Sequence, residues 1–255
     1  MKRKVVIITD CVDVALMEIR GAIHSYSNNA EYEIEPIVEV ENFNIVNTSF
    51  LFDLVVNAYP DGTVICIVVN PSQLRTERII GRLKEKDIIF DGTNTGALGY
   101  VINKYGCTEL YEIYDEGFVP FGGKYVHAPT VGKILAGVSL NKLGKPFDMQ
   151  KIRTVDMIDG VILHIDNFGN VKMKGNLKDA QKGDIYSLNF KEKTLEAVYW
   201  PRMMERKDGE IVIYPGSSFG LPEIGIVRGD FAGVYDLSVG DQILFKKVFK
   251  NSNRY

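Results

Sequence analysis

Val5-Val-Ile-Ile8 and Val64-Ile-Cys-Ile-Val-Val69 are two short apolar runs with no polar interruption. A strand with one wet face alternates apolar and polar residues. A strand covered on both faces does not, so these runs read as buried strands of a parallel sheet. Working outward, Ala15–Ile23 and Thr48–Ala58 lie between the two runs and carry helical periodicity. Ile88–Phe90 followed by Gly96–Tyr105 repeats the strand-then-helix order, and Pro129–Ala136 reads as another helix. Alternating elements of this kind predict an open α/β sheet.

Near residue 150 the pattern changes. Gly160–Ile165, Ile185–Phe190, Glu210–Tyr214, Pro222–Ile226 and Gln242–Lys246 alternate in strand fashion with Gly-containing turns between them. No long helical stretch separates them, which predicts a small all-β domain of barrel type. Lys142–Arg153 holds Gly144, Pro146 and polar residues and reads as a linker. The expected architecture is α/β plus β. An open, Rossmann-like α/β domain spans 1–141, a linker spans 142–153, and a smaller β-barrel domain spans 154–255.

The 255 residues are 45% hydrophobic and 25% charged, which suits a soluble globular protein of one or two domains. A formal net charge of −3 gives no electrostatic reason to expect nucleic acid or an anionic membrane as partner. No apolar run approaches the ~20 residues of a membrane-spanning helix. Val5–Ile8 is too short for the core of a signal peptide and Asp10 follows at once. Cys11, Cys66 and Cys107 are odd in number and far apart, which argues against a disulfide framework or a CxxC metal site and makes the cytoplasm the expected location. The three histidines are scattered, so no metal cluster is expected.

Ligands of open α/β sheets sit outside the carboxyl ends of the strands. Thr9-Asp10 follows the first strand, and a carboxylate there could accept hydrogen bonds from both hydroxyls of a ribose. It could equally cap the next helix. Asn70-Pro-Ser-Gln-Leu-Arg75 follows the Val64–Val69 strand and by itself is a polar loop. The first strand is not followed by GxGxxG, and GxxxxGK[ST] and HExxH are missing too. In the second half, Asp166-Asn-Phe-Gly-Asn170 sits between strand patterns. It is either an ordinary hairpin turn or a grip for a molecule with one charged and one flat end. Gly216-Ser-Ser-Phe-Gly220 could bind a carboxylate through hydroxyls and backbone amides, or could be a solvated turn.

In order and spacing these segments resemble the S-adenosylmethionine hydroxide adenosyltransferase family, relatives of the fluorinase and chlorinase enzymes. The resemblance rests on Thr9-Asp10, Phe43-Asn-Ile45, Tyr59-Pro-Asp-Gly-Thr-Val64, Asp166–Asn170 and Ser218-Phe-Gly-Leu-Pro-Glu-Ile-Gly-Ile-Val-Arg-Gly-Asp230. It implies a homotrimer, with S-adenosylmethionine held between one subunit's first domain and a neighbour's second. Carried over, Asp10 would hold the ribose diol and Asp166 the methionine ammonium. Ser218, beside Phe219, would help hold the carboxylate. Phe168 and Asn170 would contact adenine, with backbone near Ile226–Arg228 at its edge and Met203 where the family places an aromatic. The implied reaction is attack of water or hydroxide on ribose C5′, releasing adenosine and methionine with no cofactor.

The chain departs from the family at the three groups around the attacking water. The family Asp is Asn70, the family Arg falls at Glu77 with Arg75 and Arg78 flanking it, and the family His is Gly122. The Asp-Asn-Gly segment has become Asn94-Thr-Gly96. Asn70 cannot carry charge and so cannot act as general base, although it can orient water. Two readings follow. One is a hydrolase whose water site is rebuilt from Asn70, Gln73, Arg75 and Arg78, with His127. The other is an S-adenosylmethionine or adenosine receptor that has lost its chemistry.

Overall fold

The computed structural model describes residues 2–115 and 117–249. The chain divides into two units, Met1–Val155 and Asp156–Tyr255.

In the first unit the chain runs β1 (Arg3–Thr9), α1 (Asp13–Tyr26), β2 (Tyr32–Ile34), β3 (Val38–Glu39), α2 (Ile45–Ala58), β4 (Val64–Val68), β5 (Arg78–Leu83), β6 (Ile89–Thr93), α3 (Gly99–Tyr105), β7 (Cys107–Ile113), α4 (Ala128–Leu135) and β8 (Gly144–Pro146). The strands form one eight-stranded sheet ordered β2-β1-β4-β6-β5-β7-β8, with β3 also paired to β1. β1, β2, β3, β4 and β6 are parallel. β5, β7 and β8 join antiparallel. The sheet is therefore mixed, where the sequence pattern suggested a parallel one. The two opening runs lie at its centre and are buried along their length, because helices cover the faces of such strands. Ile19 and Ile23 of α1 and Val131 and Ile134 of α4 pack into the same core as Val5, Ile7, Val64 and Cys66.

Helix α3 begins at Gly99, three residues later than its pattern suggested. The segment 142–153, expected as a linker, is built into this unit. Gly144–Pro146 is the edge strand β8, and the Arg153 amide donates to Asn94 Oδ1 at 2.9 Å.

The second unit runs β9 (Ile162–Ile165), β10 (Val171–Met173), β11 (Ile185–Phe190), β12 (Lys193–Tyr199), β13 (Ile211–Pro215), β14 (Pro222–Ile226), α5 (Phe231–Tyr235) and β15 (Leu244–Phe249). Its sheet is ordered β15-β11-β12-β13-β14-β10-β9. An isolated bridge between Val161 and Gln242 brings the two ends of this order together, so the sheet curls. The inward faces of the strands and Phe231 of α5 make the core. The fold is thus α/β plus β. Among the described residues no helix is long and apolar enough to cross a membrane.

Candidate functional site

The carboxyl ends of β1, β4 and β6 open onto a cavity of about 400 Å³ in the first unit. Asp10, Asn70, Gln73, Arg75, Arg78 and His127 all line it. Thr9 ties the strand ends together. Its hydroxyl donates to the Val68 carbonyl at 2.8 Å and accepts from the Cys11 amide at 3.0 Å. Asp10 does not cap α1, whose N-cap is Val12 with no side-chain bond. Asp10 Oδ2 instead accepts the Phe43 amide at 2.8 Å, which leaves acceptor capacity facing the cavity.

The loop after β4 starts with an Asx turn, in which Asn70 Oδ1 accepts the Ser72 amide at 3.0 Å. It ends in a charge cluster. Arg75 Nη2 meets Asp115 Oδ1 at 2.5 Å, and Arg78 Nη1 meets Asp115 Oδ2 at 2.7 Å. Asp115 is enclosed, yet its carboxyl is held below the usual range. Burial pushes it up, but the Gly117 amide and the Arg78 guanidinium outweigh that. Two guanidiniums therefore share the one Asp115 carboxylate. Glu77, the position matched to the family arginine, does not line the cavity. Its carboxylate accepts the Asn94 side-chain amide at 3.2 Å, and the guanidinium facing the cavity with little exposure is that of Arg78.

His127 ends a five-residue π-helix, Gly123–His127, and adjoins α4 as its N-cap. Its imidazole is buried. Nδ1 lies 2.7 Å from Asp91 Oδ1 and Nε2 lies 3.3 Å from Thr93 Oγ1. Asp91 sits in the middle of β6 with no exposure. Sequence reasoning closed that strand at Phe90 and so missed both Asp91 and Thr93. The available signal was a lone carboxylate continuing an apolar run, since an ionisable group in a buried strand needs a partner.

In the second unit a cavity of about 530 Å³ is lined by Phe168, Asn170, Met203, Ile226 and Arg228, with Met204 and Gly229. Asp166, Ser218 and Phe219 are not among its lining residues. Asp166 organises the turn between β9 and β10. Its Oδ1 accepts the amides of Phe168 and Asn170, both at 2.9 Å, and its Oδ2 accepts the Asn170 side-chain amide at 3.1 Å. Gly169 is required there, because its φ is +77° and a Cβ would lie 1.9 Å from Asp230 Oδ1. The buried Asn170 Oδ1 has no hydrogen-bond partner among the described residues. Gly225 makes room for it, since a Cβ would stand 2.1 Å away. Ser218 and Phe219 occupy the turn joining β13 to β14, with Phe219 at φ +57°. Arg228 is bound to Asp208 at 2.9 Å. Among the described residues there is no cluster of His, Cys, Asp and Glu fit for a metal ion.

Fold and cavities together define an α/β-plus-β protein with a ligand-sized cleft at its strand ends. Residues 5–144 match the SAM hydroxide adenosyltransferase N-terminal domain, and residues 160–244 match the C-terminal domain of the same family. The chain belongs to the SAM hydroxide adenosyltransferase family, whose small-molecule ligand is S-adenosylmethionine. Solved structures that share the fold include two proteins of thermophiles. An uncharacterized conserved protein from Thermotoga maritima is 22% identical with a TM-score of 0.82, covering 95% of this chain and 100% of its own. A conserved hypothetical protein from Thermus thermophilus is 15% identical with a TM-score of 0.75, covering 96% and 100%. No protein of curated function matches the chain.

Proposed function

We propose that the protein binds S-adenosylmethionine and hydrolyses it to adenosine and methionine. The observation that carries this reading is the gathering of Asp10, Asn70, Gln73, Arg78 and His127 at one cavity beyond the strand ends. Water attacks ribose C5′ while the C5′–S bond breaks. The bonding pair leaves with sulfur, and the cationic sulfonium becomes a neutral thioether. The leaving group needs no protonation, so the protein's work is to orient the reactants and desolvate them. Asp10 holds the ribose diol. Asn70 and Gln73 orient the water.

Phe168, Asn170 and Met203 take the adenine, with the backbone of Ile226–Arg228 at its edge. Asn170 Oδ1 suits an exocyclic amine, being a buried acceptor without a donor among the described residues. Asp166 receives the ammonium and Ser218, beside Phe219, the carboxylate of the methionine tail. In this reading the protein is a cytoplasmic homotrimer that uses no metal or cofactor, and a complete site draws on neighbouring copies.

A second reading is a receptor for S-adenosylmethionine or adenosine without turnover. It is favoured by Asn70, whose carboxamide cannot ionise, and by Gly122, which has no side chain to offer the water. Incubation with S-adenosylmethionine followed by chromatography separates the two. Adenosine and methionine released in equal amounts above the uncatalysed rate supports hydrolysis. Calorimetric binding without product supports the receptor, and no binding of either ligand defeats both.

A further inference from the structure

The cavity in the first unit offers few groups able to accept a proton near neutrality. Asn70 and Gln73 cannot, and Arg75 and Arg78 are already cationic. The Cys11 thiol is pushed up by burial. Asp10 is committed to the Phe43 amide and, in the hydrolase reading, to the ribose. His127 is the imidazole among the lining residues.

What faces His127 is unusual for a strand interior. Asp91 is fully buried, and its Oδ1 meets His127 Nδ1 while Oδ2 has no hydrogen-bond partner among the described residues. A buried carboxylate with one oxygen unsatisfied opposes folding unless a nearby charge compensates it. An apolar residue at this register, between Cys66 of β4 and Ile80 of β5, would complete the core at no such cost. The groups facing Asp91 are His127 from the π-helix, Arg78 from β5 and the Cys66 thiol from β4. Burial raises the Asp91 carboxyl above its ordinary range, against the opposing pull of His127 and Arg78.

We propose that Asp91 is a positioning residue, holding His127 with the proton on Nδ1 so that Nε2, beside the Thr93 hydroxyl, accepts the proton of the attacking water. This rests on the hydrolase reading. As the C5′–O bond forms and the C5′–S bond breaks, the water proton passes to Nε2. The resulting imidazolium is stabilised by the Asp91 carboxylate and returns its proton to solvent. Atoms and charge balance, since a sulfonium and water give adenosine, methionine and one proton.

The test uses the full chain, Asp91→Asn, His127→Gln and the double variant. The Asp91→Asn change is expected to lower kcat by about 10²–10⁴-fold with little change in KM. It should also shift the acidic limb of the kcat profile to lower pH, because the imidazole loses its anionic partner. The double variant should be no slower than His127→Gln. Nitrogen NMR of the unsubstituted protein should show the Nδ1–H form of His127, assigned by the signal lost in His127→Gln. This last readout needs no substrate and does not depend on whether Asp91→Asn folds.

An Nε2–H form of His127, or a folded Asp91→Asn protein with unchanged kcat and pH profile, overturns the inference while hydrolysis stands. Absence of adenosine from the unsubstituted protein overturns the hydrolase reading and the proton-accepting role with it. In that case an Nδ1–H signal marks only an oriented imidazole.

Discussion

A Cβ built on Gly122 would lie 3.2 Å from Nη2 of Arg78, so the guanidinium occupies the ground a side chain at 122 would need. Arg78 is held there by Asp115. The bare backbone at 122 and the half-buried arginine are one arrangement.

This relationship predicts different outcomes for two substitutions. Gly122 has helical dihedrals (φ −56°, ψ −37°), so Gly122→Ala gains from a less flexible unfolded chain while pressing slightly on Arg78. Its stability should stay within about 1 kcal/mol of the parent. Gly122→His must displace Arg78 from Asp115 and should cost about 1.5–3 kcal/mol. Denaturant titration of both variants checks the contrast, and equal stabilities would show that Arg78 moves aside freely.

The Asp115 cluster makes a pH-dependent contribution. Its carboxyl is held below the ordinary value of 3.8 when folded. A depressed acid adds stability above its unfolded pKa, and that stability is lost as pH falls through the lower folded value. Asp115→Asn should therefore be less stable at pH 7 by about 1.5–3 kcal/mol. The gap should narrow below pH 3.8. Melting curves of both proteins against pH measure it, and a gap that widens toward acid would reverse the assignment.

Asp10 is tied to the Phe43 amide by one carboxylate oxygen and does not support α1. Asp10→Ala is therefore expected to weaken S-adenosylmethionine binding by about 1.5–3 kcal/mol, the worth of a charge-assisted contact. Secondary structure should be retained. Calorimetry compares the two, and unchanged affinity would remove Asp10 from the ribose site.

Asn94 joins three segments. Its side chain donates to Glu77 and to the Lys151 carbonyl at 3.0 Å, and accepts the Arg153 amide. Asn94→Ala removes these three partly buried bonds and should cost about 1–3 kcal/mol. Gly99→Ala strikes the same neighbourhood, since its Cβ would lie 2.3 Å from the Arg153 carbonyl oxygen. A backbone atom cannot step aside as a side chain can, so a loss of about 1–3 kcal/mol is expected there too. Thermal denaturation of each variant reads the loss.

The central strands were legible as unbroken apolar runs, in Val5–Ile8 and Val64–Val68, and the long helices α1 and α2 by their periodicity. Strand β5 was not read. Arg78 and Arg82 interrupt its apolar residues, and its partners are antiparallel neighbours that the sequence does not announce. Strand β8 is three residues long and ends in Pro146, so its composition is that of a loop. At the site, Asp10, Asn70 and His127 were nameable because each follows a strand or opens a helix. Asp91 was not, because the packing of the π-helix against β6 creates its partner and no local pattern records that contact. Glu77 and Arg78 show the limit of counting along a motif, because Glu77, just before β5, bonds Asn94 while Arg78, the first residue of β5, lines the cavity.

The Ala128 amide reaches back to the Gly123 carbonyl, five residues earlier, so the turn before α4 is one residue wider than an ordinary helical turn. An α-helix advances about 100° per residue, so deleting one residue between 123 and 126 would swing His127 about that far around the axis. The imidazole's aim is thus set by a count of residues as much as by their identity. A length change of one could retune this cleft while every strand beneath it stayed as it was.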